Sequence, residues 1–142
     1  MEGDINMASK FEAFLKGNVE RLVTKPVIIS DRFRSEDGKL VPFVIKALST
    51  QKEKEIRKNC KQIDDMGREV LDTAKYEDEV TLACVIEPNL SNAELQDSYG
   101  VMGEIELLNE MLLSGEYMTL QKHINEMNGV KSFDQKVEEA KN

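Results

Sequence analysis

Glu87-Pro88-Asn89-Leu90-Ser91-Asn92-Ala93-Glu94-Leu95-Gln96-Asp97-Ser98-Tyr99-Gly100-Val101-Met102-Gly103 is the stretch on which the fold turns. Pro88 stops whatever precedes it, because the residue before a proline is pushed out of helical geometry. Ser91 and Glu94 have the spacing of a capping box, and Leu90 and Leu95 can touch around the first turn as a hydrophobic staple. Gly100 and Gly103 then bracket a tight break. The stretch therefore reads as a helix stop, a stapled helix start and a glycine elbow.

Beyond the elbow, Ile105, Leu108 and Leu112 share one apolar helical face, closed by Ser114-Gly115. Tyr117, Leu120, Ile124 and Met127 form another, closed by Asn128-Gly129 as a C-cap. Two helices joined so briefly are expected to pack antiparallel. Upstream of the elbow, Asp72 or Thr73 can cap a helix running to Ile86, with Tyr76, Val80, Ala83 and Cys84 inward. The stretch from Ile56 to Ala74 admits two readings. Ile56, Cys60, Ile63, Gly67, Val70 and Ala74 fit a heptad spacing in one long helix. Against this, Asp64-Asp65-Met66-Gly67 is a good turn, and a glycine inside a helix costs about 1 kcal/mol relative to alanine. A short hairpin over 61–72 is preferred.

Thr50-Gln51-Lys52-Glu53 is a second capping box, opening a basic helix to Cys60 whose cations are expected to pair within the chain. Before it, Lys25-Pro26 opens the β-branched run Val27-Ile28-Ile29, with Pro26 read as a first strand residue that forfeits no ladder bond. Ser35-Glu36-Asp37-Gly38 supplies a turn, and Val41, Phe43, Ile45 and Ala47 alternate at strand period, with Pro42 marking an edge or a bulge. A β-hairpin across 27–48 follows. Ser9-Lys10-Phe11-Glu12 caps a short helix ended by Gly17-Asn18. Its Phe11, Phe14 and Leu15 are expected to pack onto the chain's own core.

The fold class is thus α+β: a mostly helical single domain with one or two small antiparallel β-hairpins and a C-terminal helical pair. Residues 8–130 form the domain, residues 1–7 a flexible extension, and residues 131–142 a polar tail expected to fray. With 142 residues, 40% of them hydrophobic and no tryptophan, the core is one of Leu, Ile, Val and Met.

The net charge of −8 argues against a nucleic-acid partner, since phosphate binding requires clustered cations. The charge is uneven. Residues 1–58 carry twelve Lys/Arg against nine Asp/Glu, and residues 59–142 seven against eighteen. That asymmetry fits a face presented to a partner of opposite sign, or simply a solvated acidic surface. No apolar run reaches the roughly 18 residues of a membrane span, and the acidic start lacks the apolar core of a signal peptide. Cys60 and Cys84 read as buried thiols in a reducing cytosol.

Catalytic chemistry finds no support. The one histidine, His123, sits on the polar side of its helix without companions at zinc spacing, and reads as a surface residue. Asp64-Asp65 and Glu77-Asp78-Glu79 lack the alternation of a calcium loop. Gly100-Val101-Met102-Gly103 lacks the Lys and Ser/Thr of a phosphate loop, and Ser98 lacks the glycines of a nucleophile elbow. No cofactor and no metal are expected. Of the seven methionines, Met111 and Met127 read as core, while Met102 and Met118 suit either core or an adaptable binding surface.

Cys84-Val85-Ile86-Glu87-Pro88-Asn89-Leu90, then Glu94-Leu95-Gln96-Asp97-Ser98-Tyr99-Gly100-Val101, resemble the XkdN-like phage tail assembly chaperones. Leu112-Leu113-Ser114-Gly115-Glu116-Tyr117 and Ile124-Asn125-Glu126-Met127-Asn128-Gly129 agree. Pro42-Phe43-Val44-Ile45-Lys46-Ala47 and the helix entering Cys60 match more loosely. The resemblance implies a cytoplasmic, non-enzymatic factor, absent from the finished tail. It would keep the tape measure protein soluble and help to recruit tail tube protein. Self-association is a further expectation. Partner binding is expected at the 87–103 elbow and in the groove between the 104–113 and 116–127 helices. The candidate residues are Glu87, Asn89, Asp97, Tyr99, Met102, Glu104, Glu116 and Met118, with the acids on the rim favouring basic partner segments. The competing roles are a structural subunit retained in a tail or connector and a secretion-type chaperone.

Overall fold

The computed structural model describes residues 10–19 and 24–129. The expectations for residues 1–7, the Ser9 cap and the tail 131–142 fall outside the described residues. The fold is α+β, as its patterning dictates, with a three-stranded sheet, a separate two-stranded hairpin and helices gathered over one apolar core.

The first hairpin forms where alternation predicts it. Strand β1 (Lys25–Val27) pairs antiparallel with β2 (Phe43–Ile45), Val27 facing Phe43 and Lys25 facing Ile45. Pro26 is the second strand residue rather than the first. It lies on an edge strand, where its missing N–H leaves the ladder intact. Val27, Ile29, Phe43 and Ile45 are buried, so period two carries over into one sealed sheet face. The long connection folds back at Ser35–Gly38, where Ser35 N–H donates to the Lys39 carbonyl (2.9 Å) and Gly38 takes φ 83°.

Helix α1 (Thr50–Asn59) starts one residue earlier than the Thr50 box implies. Ser49 is the N-cap, accepting from Lys52 N–H at 3.1 Å, and Cys60 closes the helix. Its cations do pair internally: Arg57 with Glu53, Lys52 with Glu55. The hairpin reading of the next segment holds. Strands β3 (Lys61–Ile63) and β4 (Glu69–Leu71) pair antiparallel around a turn in which Gly67 takes φ 78°. Asp64 Oδ1 accepts from the N–H groups of Met66 (2.9 Å) and Arg68 (2.8 Å).

Helix α2 (Thr73–Cys84), capped by Asp72, ends two residues before Ile86. Val85–Glu87 is instead strand β5, the third strand of the first sheet, paired with β2 across a register shift. Val85 and Ile86 are β-branched, and an open β2 edge offers them a ladder that a helix end does not. Helix α3 (Ala93–Ser98) is capped by Asn92, not Ser91: Asn92 Oδ1 accepts from Leu95 N–H at 2.9 Å, while the Ser91 hydroxyl donates to Asn89. Leu90 is buried and Leu95 packs against the same cluster, but with Asn92 as the cap they no longer hold the two positions of a staple.

Helices α4 (Glu104–Met111) and α5 (Ser114–Met127) follow, with Leu107, Leu108, Met111, Leu112, Leu120 and Ile124 in the core. Ser114-Gly115 opens α5 rather than merely closing α4. The two helices are also organised differently from a self-contained antiparallel pair, since both lean on α2. Asp78 of α2 accepts from the Tyr117 hydroxyl (2.6 Å) and from the Asn109 amide (3.2 Å), tying both helices to itself. Burial and that carboxylate raise the Tyr117 pKa. Asn128 and Gly129 (φ 82°) form the anticipated C-cap, with the Asn128 side chain also accepting from Leu48 N–H.

The short N-terminal helix differs most from expectation. Phe11 and Phe14 are 67% and 80% exposed, and among the described residues the core cluster includes none before Val27. A short segment preceding the first strand brings too little of its own surface to form a buried layer.

Candidate apolar groove

Helix α3, between Pro88 and the glycine elbow, lies beside the mouth of the first hairpin. Between them lies an open groove of about 350 Å³. One wall is Phe33, Val41, Pro42 and Phe43; the other is Glu87, Pro88, Leu95 and Tyr99, with Met111 below. Phe43 and Met111 are buried, and Phe33 stacks obliquely on Phe43 at 5.9 Å. Carbon dominates the lining, and Glu87 and Tyr99 supply its polar groups. Such a surface takes an apolar side chain and orients it by a few polar contacts.

The elbow is held by one side chain that sequence pattern did not single out. Gln96 Nε2 donates to the Leu90 carbonyl (2.8 Å), while its Oε1 accepts from Gly103 N–H (3.0 Å), so a single amide spans the segment. Gly103 takes φ 137°, and a Cβ there would lie 2.0 Å from a Glu106 carboxylate oxygen. The opposite wall is fixed by Arg32. Its guanidinium donates to both Glu116 carboxylate oxygens and to the Met111 carbonyl (3.0 Å). Glu116 also accepts from Leu113 N–H at 2.8 Å, its capping role at the start of α5. Hydrogen bonding from Arg32 is the main reason its pKa falls to about 2, against an opposing effect of burial. Glu116 is therefore no rim acid for a partner. It is a buried clamp joining the first hairpin's connection to the corner between α4 and α5.

The other candidates scatter. Glu87 and Tyr99 line the groove. Asn89 accepts from Ser91 N–H and hydroxyl, shaping the turn into α3. Asp97 is exposed on α3, and Met102 is 93% exposed just past the elbow. Glu104 lines a separate, polar cavity with Lys52, Lys75 and Cys60. Met118, 68% exposed, lines a third with Asn109, Leu112 and Tyr117 at the helix corner. The groove residues missed by pattern, Phe33, Val41 and Met111, belong to segments remote in sequence. Pro42 beside an alternating run was their only local signal.

The elbow side of the groove is acidic, whereas the hairpin side carries Arg32 over the Phe33 ring at 5.1 Å, with Arg34 and Lys39 on the same connection. No Lys or Arg occurs between Lys75 and Lys122, while ten carboxylates do. Asp78 and Glu116 are spent on internal bonds; Glu87, Glu94, Asp97, Glu104, Glu106 and Glu110 are exposed. His123 is half-buried rather than on the open surface, with Nδ1 facing Glu126 at 3.9 Å. Cys60 and Cys84 are buried free thiols, their pKa values raised by burial. Among the described residues no His/Cys/Asp/Glu group could hold a metal, and no helix is long and apolar enough to cross a membrane.

The family model for phage XkdN-like tail assembly chaperone proteins matches residues 11–141. The uncharacterized protein YqbN of Bacillus subtilis strain 168 is 28% identical over 132 residues, 89% of each chain. The phage-like element PBSX protein XkdN of the same strain is 27% identical over 135 residues, 91% of each chain. A crystal structure of the protein YqbN superposes with a TM-score of 0.71 at 25% identity, covering 84% of this chain and 95% of that one.

Proposed function

The chain belongs to the phage XkdN-like tail assembly chaperone family, and on that premise we propose that it binds the tape measure protein during tail morphogenesis, through the apolar groove beside the elbow. The groove itself is the observation that carries this reading: an open, carbon-lined cleft walled by Val41, Pro42, Pro88 and Tyr99 and rimmed by Glu87. A long helical protein with an apolar stripe would insert successive side chains, and basic residues flanking that stripe would meet the acidic face. Those acids mainly raise the association rate, so capture is faster at low salt. Asp97 on α3 and the exposed Met102 past the elbow extend the adaptable surface, whereas Glu104 and Met118 line separate cavities. Bound tape measure would stay soluble and accessible to tail tube protein. The chaperone would act in the cytoplasm of the bacterial host and leave before the tail is complete.

Co-expression with the tape measure protein tests this. The expected result is a soluble complex recovered by pull-down, weakened at least tenfold by Val41→Arg. A tape measure that stays equally insoluble with and without this chain would sink the proposal. Abundant, stoichiometric presence in purified particles would instead favour a subunit retained in the tail or connector.

A further inference from the structure

A cavity of about 390 Å³ opens where α4 turns into α5, lined by Asn109, Leu112, Ser114, Tyr117 and Met118. Its walls are held from behind. Asp78 of α2 accepts from the Asn109 amide and from the Tyr117 hydroxyl, and Glu116 fixes the turn by accepting from Leu113 N–H and from Arg32. Two large apolar side chains nonetheless face water here: Met118 of the lining is 68% exposed, and Leu113, between two lining residues, 60%. The charges around them are mostly of one sign. Asp78 and Glu77 come from α2 and both act on Tyr117. On α4, Glu106 lies one turn before Asn109 and Glu110 follows it, both exposed. Lys122, one turn beyond Met118, is the only cation from residue 76 to residue 127. Arg32 reaches the corner from the first hairpin's connection, but Glu116 and the Met111 carbonyl hold its guanidinium.

We propose that this corner is a second docking site, which takes an apolar side chain from a basic amphipathic helix of the partner. Only the identity of that partner, the tape measure protein, rests on the reading above. The apolar side chain enters between Tyr117 and Met118, and lysines or arginines flanking it on the helix meet Glu106, Glu110 and Glu77. Met111 floors the elbow groove and Leu112, the next residue, lines the corner cavity, so the two sites flank one turn of chain. A long helix held at both is retained more firmly than at either, because the second contact forms at high effective concentration.

Methionine-methyl NMR of the full chain tests the proposal, because Met118 lines the corner and Met111 the elbow groove. The probe is a synthetic helical peptide with leucines at i, i+3, i+4 and i+7 and lysines on its other face. It is expected to shift the Met118 methyl resonance, assigned through Met118→Leu, whereas an analogue with glutamates in place of the lysines should not. In the Val41→Arg chain, whose elbow groove is blocked, adding Leu113→Ser/Met118→Ser should weaken binding of the labelled lysine peptide about tenfold, with unchanged circular dichroism. A Met118 resonance unmoved by the lysine peptide, or moved equally by the glutamate analogue, overturns the proposal. So does a Met118 shift that follows the concentration of the chain alone, which would assign the cavity to a second copy. In the tape measure pull-down, Leu113→Ser/Met118→Ser should lower recovery by itself. Full recovery by that variant, beside loss with Val41→Arg, overturns the corner site and leaves the elbow reading intact; the reverse pattern overturns the elbow reading alone.

Discussion

Arg32 and Glu116 are 84 residues apart in sequence, yet their pair closes the corner where the first hairpin's connection meets α5. The carboxylate's value of about 2 lies below the usual 4.5, so the folded state holds its proton less readily than the unfolded chain. The stabilisation is thus complete above the unfolded value and fades as pH falls from about 5 toward about 2. Glu116→Gln is expected to destabilise the fold at pH 7 by about 1–3 kcal/mol, the range for hydrogen bonds to charged groups. In urea titrations, its deficit relative to wild type should shrink as the pH is lowered through that window. A deficit constant from pH 7 to pH 3 would mean that the charge contributes nothing. Two glycines give a paired test. Gly103→Ala forces a Cβ into φ 137° and should destabilise by about 1 kcal/mol or more. Gly115→Ala, in the first turn of α5 with no atom within 4 Å of the added carbon, should stabilise by about 0.5–1 kcal/mol. Thermal melts of both should move in opposite directions.

At the scale of elements, caps decide where helices begin. The two boxes within the described residues are displaced by one residue, to Ser49 and Asn92. The reason is physical: consecutive polar residues compete for the same free N–H groups, and the backbone path selects among them. At α3 that path is set by Asn89, which turns the chain and occupies Ser91. Asn92→Ala should therefore cost about 1 kcal/mol, and Ser91→Ala clearly less, in chemical denaturation. Equal losses would return the cap to Ser91. The β3–β4 hairpin depends on Asp64 in a similar way. It projects Ile63 and Met66, 68% and 77% exposed, and a lone two-stranded hairpin is marginal. Asp64→Ala should speed amide exchange across residues 61–71 while leaving the sheet's Phe43–Ile45 strand protected.

For the whole molecule, the groove exists only because the elbow and the first hairpin meet. Gln96 spans the elbow, so Gln96→Ala should loosen it and lower tape measure recovery in the pull-down. Circular dichroism should change little, because the core cluster does not include Gln96. Retention of full recovery would mean that the elbow's geometry is irrelevant to capture.

Local chemistry was enough for most of the elements. Alternation fixed which face of the first hairpin is buried, Asp64–Gly67 specified a turn against a competing heptad, and Pro88 with two glycines marked the elbow. Those features depend on residues a few positions apart, and the backbone answers to near neighbours first. What the tertiary structure decided depends on distant partners. Val85 and Ile86 form a strand because β2 had an unpaired edge. Glu116 is a clamp because Arg32 arrives from another segment, and α4 and α5 rest on α2 because Asp78 bonds to both. An acidic residue on a helix looks the same in sequence whether water or an arginine awaits it, and only packing distinguishes the two.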